Sequence, residues 1–201
     1  KVGLTAPAMR EMFGSNEPVF GYLLESARIE SGFSFRCAGL RTPMVENELL
    51  ITLASDLSGP NASADDARKA VASIAPAFEI IEMRGADMKA DLPLAISDNV
   101  AQRAFVHGAA IAYTPSLDFG DVRADVRING ELKHSPLGRE AIDNQLQTLA
   151  WLANALHRFG KSLQAGQCVM TGSFTKPLPV AVGDKFETTF SGVGVVAAGF
   201  A

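Results

Sequence analysis

Pro43-Met44-Val45-Glu46-Asn47-Glu48-Leu49-Leu50-Ile51 is the stretch from which the rest of the chain is read. It is apolar after its two acids and predicts a core strand over Arg41 to Ala54, with Pro43 bounding its start. Side chains alternate along a strand, so Glu46 and Glu48 share one face, and Leu50 and Thr52 follow them on it. Two carboxylates close together at the head of a buried strand repel, and burial raises that penalty. A hard divalent cation with oxygen ligands would compensate. So would water at a solvated strand end, or pairing with Arg41. Spacing alone leaves these alternatives open.

A second acidic strand, predicted over Ala77 to Met83, narrows them. Its residues Phe78-Glu79-Ile80-Ile81-Glu82 place Glu79 on a face with Ala77 and Ile81, and Glu82 on a face with Phe78 and Ile80. One of these acids joined to Glu46 and Glu48 makes a three-carboxylate site suited to Mg²⁺ or Mn²⁺, with water and substrate filling the remaining positions. Periodicity does not choose between Glu79 and Glu82. A salt bridge to Arg84, Arg68 or Lys69 is the structural alternative for either.

Working outward, Thr5 reads as a helix cap, with Pro7 inside the helix and Gly14 closing it. Ser63 and Asp66 have the spacing of a capping box. Ala67, Ala70, Val71 and Ile74 then follow helical spacing until Pro76. Asp121 to Lys133 alternates cleanly around Asn129-Gly130, a hairpin signal. The clearest helix runs from Asn144 to Phe159, capped by Asp143 and closed by Gly160. From Cys168 to Phe200 the chain is rich in strands. The reading is a mixed α/β, β-dominated fold: one domain over residues 1–201, with mixed sheets and a few peripheral helices.

Composition sets limits on function. The 201 residues are 47% hydrophobic and 20% charged, with a net charge of −4 and no basic run, which argues against a nucleic-acid partner. No apolar stretch is long enough to span a membrane. Two distant cysteines, Cys37 and Cys168, read as reduced core thiols of a cytoplasmic protein. His107, His134 and His157 have no zinc-ligand spacing, and neither a nucleophile elbow nor a phosphate loop is present. The first residue is Lys1 and it opens a strand-like run, so a preceding segment is expected.

Several stretches, taken in order, resemble the 2-keto-4-pentenoate hydratase and 4-oxalocrotonate decarboxylase branch of the fumarylacetoacetate hydrolase superfamily. They are Lys1-Val-Gly-Leu-Thr-Ala-Pro-Ala-Met, Pro18-Val-Phe-Gly-Tyr-Leu-Leu, Pro43-Met-Val-Glu-Asn-Glu-Leu, Pro76-Ala-Phe-Glu-Ile-Ile and Thr171-Gly-Ser-Phe-Thr-Lys-Pro. The resemblance implies a fumarylacetoacetate-hydrolase-like domain holding Mg²⁺ or Mn²⁺ through Glu46, Glu48 and Glu79, which selects Glu79 over Glu82. It implies Lys1 and Glu25 as catalytic residues and Leu24 and Ser173 as substrate contacts. The sequence departs from the resembled pattern at three places. Glu25 is the nearest acid where the pattern usually carries Asp, and Met44 stands where it carries a basic residue. Gly138-Arg-Glu-Ala-Ile-Asp-Asn stands where a glycine-rich stretch precedes the long helix. The implied activity is hydration of 2-hydroxypenta-2,4-dienoate in the breakdown of aromatic compounds by a homo-oligomer. Decarboxylation of 2-oxo-3-hexenedioate is the alternative. A non-catalytic protein that binds metal and 2-oxo acids is the alternative of another class.

Overall fold

The structure, a computed structural model, describes residues 1–82, 84, 91–142 and 144–201. Its strands in chain order are β1 (Val2–Gly3), β2 (Val19–Phe20), β3 (Arg28–Glu30), β4 (Ser34–Phe35), β5 (Pro43–Leu53), β6 (Val71–Glu82), β7 (Gln102–His107), β8 (Ile111–Ala112), β9 (Ala124–Ile128), β10 (Glu131–His134), β11 (Cys168–Met170), β12 (Leu178–Pro179), β13 (Lys185–Phe190) and β14 (Gly194–Phe200). The helices are α1 (Pro7–Met12), α2 (Ala64–Ala70), α3 (Leu92–Ser97), α4 (Gly138–Ala141) and α5 (Gln145–His157). The β-dominated mixed fold expected from the sequence is the one observed.

One sheet has the order β11-β5-β6-β7-β3, with β12 added to β5 and β8 to β6. A second has the order β10-β9-β13-β14-β4, and β1 pairs with β2 as a small ribbon. Pairing is antiparallel except for β3 with β7 and β4 with β14. The two large sheets pack face to face. Phe78 on β6 meets Phe186 on β13 edge-on at 6.5 Å, and Phe186 meets Phe200 on β14 at 5.4 Å. The odd-numbered side chains of β5 (Val45, Leu49, Ile51 and Leu53) fill this core, and α5 buries Leu146, Leu149 and Leu152 in it. Asn47 is the polar exception on that face. Its Oδ1 accepts a hydrogen bond from Thr188 of β13 at 2.7 Å, pinning one sheet to the other. The even-numbered residues of β5 therefore face away from the second sheet.

Local signals explain several elements. Ser63 and Asp66 form the capping box of α2 in full. Asn129 and Gly130 both have positive φ, as a type I′ turn needs. The helix beginning at Ser63 stops at Ala70, short of the expected Pro76, and Val71 and Ile74 belong to β6 instead. Pro76 is tolerated inside that strand because β6 changes partner there, from β8 at Ser73 and Ile74 to β7 from Ala77 onward. Thr5 is not the cap of α1. Ala6 occupies that position without a side-chain bond, and the Arg10 guanidinium reaches back to the carbonyls of Leu4 and Thr5. Asn144 caps α5 through the N–H groups of Leu146 and Gln147. The expected cap Asp143 and the strand end at Met83 lie outside the described residues. Among the described residues no helix is long and apolar enough to cross a membrane, and both cysteines are free.

Ser63→Ala removes one half of the capping box, which sits at the end of α2 away from β6 and outside the cavity lining. It should lower stability by about 1 kcal/mol, which is roughly 2–4 °C in Tm for a chain of this size, and leave metal affinity unchanged. Thermal unfolding with and without Mg²⁺ measures both.

Candidate metal centre

The β5–β6 register places Glu46 directly opposite Glu79, and Glu48 opposite Ala77. Directly opposed side chains on antiparallel strands are nearest neighbours, and like charges there are unfavourable. Adding Glu48 from the same face of β5 brings three carboxylates together, with one oxygen of each within 4.8 Å of the others. Glu82 lies outside this cluster. It is buried, faces away from the cavity, and accepts the backbone N–H of Arg41 at 3.2 Å.

The electrostatics are severe. At an effective dielectric of about 20, two charges ~5 Å apart repel by about 3 kcal/mol, so three such pairs approach the whole stability of an ordinary domain. The carboxyls respond by holding protons. Burial, followed by the charge of Glu79, pushes Glu46 up to about 7, and the Lys1 ammonium opposes this. Burial and the charges of Glu79 and Glu46 hold Glu48 well above the usual carboxylate range, even though Gly172 N–H donates to its Oε2 at 2.8 Å.

Lys1 is the cation at this cluster. Its buried Nζ ion-pairs with Glu79 Oε1 and donates to the carbonyl of Val100 at 3.0 Å. That carbonyl is presented by an unusual turn. Asn99, Val100 and Ala101 all have left-handed φ, at 55°, 52° and 58°. This conformation costs non-glycine residues roughly 1–2 kcal/mol each. The turn is held by the Asn99 side chain, which accepts from Tyr22 N at 2.7 Å and donates to Tyr22 O at 2.8 Å. Gly21 must lack a side chain here, since a Cβ would lie 2.4 Å from Asn99 Oδ1.

The segment from Gly172 to Pro177 forms another wall. Ser173 Oγ accepts from the N–H groups of Asn47 and Thr175 at 3.0 and 3.2 Å, and Asn47 Nδ2 donates to Thr175 Oγ1 at 2.8 Å. Asn47 thus ties the wall to the strand that carries Glu46 and Glu48. Gly172 has φ +123°, and a Cβ on it would collide with Thr5 Oγ1 at 2.3 Å.

These groups line a cavity of about 530 Å³. Lys1, Glu46, Glu48, Glu79 and Ser173 all reach it. Leu24 and Glu25 do not. Leu24 is half exposed, and Glu25 sits at the surface with an Arg28 guanidinium nitrogen 3.7 Å away. The 3₁₀ turn Glu25–Ala27 leads the chain out to β3 at the sheet edge, which carries both side chains from the cavity. Sequence reading missed Glu140 at the rim and the Asn47 anchor, and it offered Lys176 as an available cation and Asn99-Val100 as part of a motif without placing either at the cavity. An asparagine amid an apolar run was the available signal for Asn47. Three carboxylates and one ammonium leave two formal negative charges, and every free donor is a hard oxygen. Mg²⁺ or Mn²⁺ matches that set.

Residues 10–201 match the Fumarylacetoacetate (FAA) hydrolase C-terminal family. The chain is 33% identical to a 2-hydroxyhexa-2,4-dienoate hydratase of Comamonas testosteroni over 96% of its own length and 74% of the relative's. It is 30% identical to a 4-oxalocrotonate decarboxylase of Pseudomonas putida, over all of this chain and 76% of that one. The solved structure of 4-oxalocrotonate decarboxylase from Pseudomonas putida G7, complexed with magnesium and adipate, superposes with a TM-score of 0.94 at 29% identity, over 100% of this chain and 76% of that chain.

A carboxyl whose folded pKa is raised stabilises the fold below its unfolded pKa, and that stability is lost as pH rises through the folded value. With Glu46 moved from 4.5 to about 7, Tm in EDTA should fall by several degrees as pH rises from about 5 to 8. Mg²⁺ should restore it at pH 8, and Glu46→Gln should flatten the metal-free profile. A metal-free Tm that climbs across this range, with Glu46→Gln behaving like the parent, would contradict the repulsion argument.

Proposed function

The chain belongs to the fumarylacetoacetate hydrolase family, and from that premise we propose that it is a divalent-metal-dependent lyase that hydrates 2-hydroxypenta-2,4-dienoate (2-keto-4-pentenoate) to 4-hydroxy-2-oxopentanoate. The observation that carries this reading is the meeting of Glu46, Glu48, Glu79 and Lys1 at the wall of one cavity. Similarity to hydratases and a decarboxylase supports action on small 2-oxo acids.

Glu46, Glu48 and Glu79 would hold Mg²⁺ or Mn²⁺. Bound there, the cation supplies a Lewis acid for the negative charge that develops on the C2 oxygen of a 2-oxo acid. Lys1, once a cation shares the charge of Glu79, is free to hold the substrate carboxylate or to carry a proton. Protonation at C5 of the dienol gives a conjugated ketone. Water then adds its oxygen at C4 and its proton at C3. Gly172 N–H fixes Glu48, and Ser173, engaged by Asn47 and Thr175, fixes the wall beside the reacting carbons. The apolar walls keep bulk water from the dienol. Glu25, at the surface, has no place in this scheme.

Decarboxylation of 2-oxo-3-hexenedioate is the second reading, favoured by the close superposition on a decarboxylase. It needs the same stabilisation of a C2 oxyanion.

Protein supplied with Mg²⁺ should remove the diene absorbance of 2-hydroxypenta-2,4-dienoate, and EDTA should stop it. Glu79→Gln should lower kcat/KM by about 10² or more, whereas Glu82→Gln should retain most activity. Equal losses in the two variants would reject Glu79 as the ligand. CO₂ release from 2-oxo-3-hexenedioate without hydration would assign the decarboxylase. Turnover of neither acid by protein that still binds Mg²⁺ and oxalate would leave a binding protein.

A further inference from the structure

The substrate's far end is legible in the next rung of the same two strands. Residues 44, 46 and 48 share a face of β5, and the register sets Met44 opposite Ile81 one step beyond the Glu46–Glu79 pair. Two residues along a strand span roughly 7 Å, enough to accommodate the short tail beyond C2 of a six-carbon acid. Met44, Ile81 and Phe13 pack into one apolar cluster, and all three reach the cavity. In the opposite direction the strand face is closed, because Leu50 is buried against Ala75, Phe105 and Met170. A ligand anchored at the carboxylates therefore extends along the Met44–Ile81 rung.

Above that rung stands α1, which contributes Met9 and Met12 to the cavity yet buries none of its residues. Its apolar side chains face space that a ligand would fill. Among the described lining residues the cations are Lys1 and Lys176. Lys1 is bound to Glu79. Lys176 is exposed on the wall that carries Ser173 and is not part of the Met44–Ile81–Phe13 cluster. Arg84 is held by Asp98 at 2.8 Å and lies outside the cavity wall. Among the described residues the Met44–Ile81–Phe13 cluster holds no cation, so a second carboxylate entering it would lose its water without gaining a partner there.

Building on the 2-oxo acid reading above, we propose that this protein selects monocarboxylic substrates with a short uncharged alkyl or alkenyl tail. Met44, Ile81 and Phe13 are the specificity-determining residues, and 2-oxo dicarboxylates are disfavoured. Met44 does this by adding an uncharged thioether to the apolar cluster that lines this end of the cavity.

The test compares acids that share a head and a length. Calorimetric titration of the Mg²⁺-loaded protein with 2-oxohexanoate and with 2-oxohexanedioate reads binding independently of turnover, and oxalate, which has only the head, is the control. The monoacid should bind about tenfold more tightly or better, a difference of about 1.4 kcal/mol. Met44→Arg should shrink or invert the ratio. Phe13→Lys, at a half-exposed position, is the second variant should Met44→Arg fail to fold. Failure of oxalate to bind would overturn the metal-and-head reading and this inference with it. Oxalate binding together with equal or tighter binding of the dicarboxylate would overturn the inference alone. So would an unchanged ratio in folded Met44→Arg or Phe13→Lys.

Discussion

The register of β5 against β6 sets two carboxylates directly across from each other, Glu46 on one strand and Glu79 on the other. A one-residue slip would separate them and would also turn the core face of β5 to the other side of the sheet, so packing locks the repulsion in place. Val45, Leu49, Ile51 and Phe78 supply that lock, since they are buried on the opposite face of the same strands. The apolar core thus holds an arrangement that electrostatics alone would disperse.

Much of the surrounding structure can be understood as management of that charge. Lys1 is brought in by a short ribbon, β1 with β2, which is fastened through Gly21 and Tyr22 to the left-handed turn at Asn99–Ala101. The backbone strain of that turn is offset by the ion pair of Lys1 with Glu79 and by its hydrogen bond to Val100 O. On the other side Gly172 donates to Glu48, and Asn47 ties the loop carrying Gly172 to β5. One ammonium and one amide do not offset three crowded carboxyls, and Glu46 and Glu48 shift upward. A divalent cation would complete the balance.

The sequence made some of this readable and hid the rest for definite reasons. The β5 strand, the capping box at Ser63 and the Asn129-Gly130 hairpin are local signals, and each formed as expected. The pairing of Glu46 with Glu79 is not local, since 32 positions separate them in sequence and alternation leaves Glu79 and Glu82 equivalent until a register is known. Resemblance to a family selected Glu79, and the register gives the physical reason. Pro76 misled because a proline within a strand is allowed only where partners change, and nothing near it in sequence marks the junction of β7 with β8. Three consecutive left-handed residues at Asn99–Ala101 have no glycine to announce them. Glu25 was placed by sequence position, but a 3₁₀ turn carries it to the surface.

The central claim is that these opposed acids and Glu48 form one cation site. Anomalous diffraction from crystals soaked with Mn²⁺ and oxalate addresses it directly. The account predicts a single strong manganese peak in contact with carboxylate oxygens of Glu46, Glu48 and Glu79, with oxalate completing the coordination beside Lys1. A peak that touches Glu82 or surface acids instead, or Glu46–Glu79 contacts left bare with Lys1 still their sole counter-charge at saturating Mn²⁺, would contradict it.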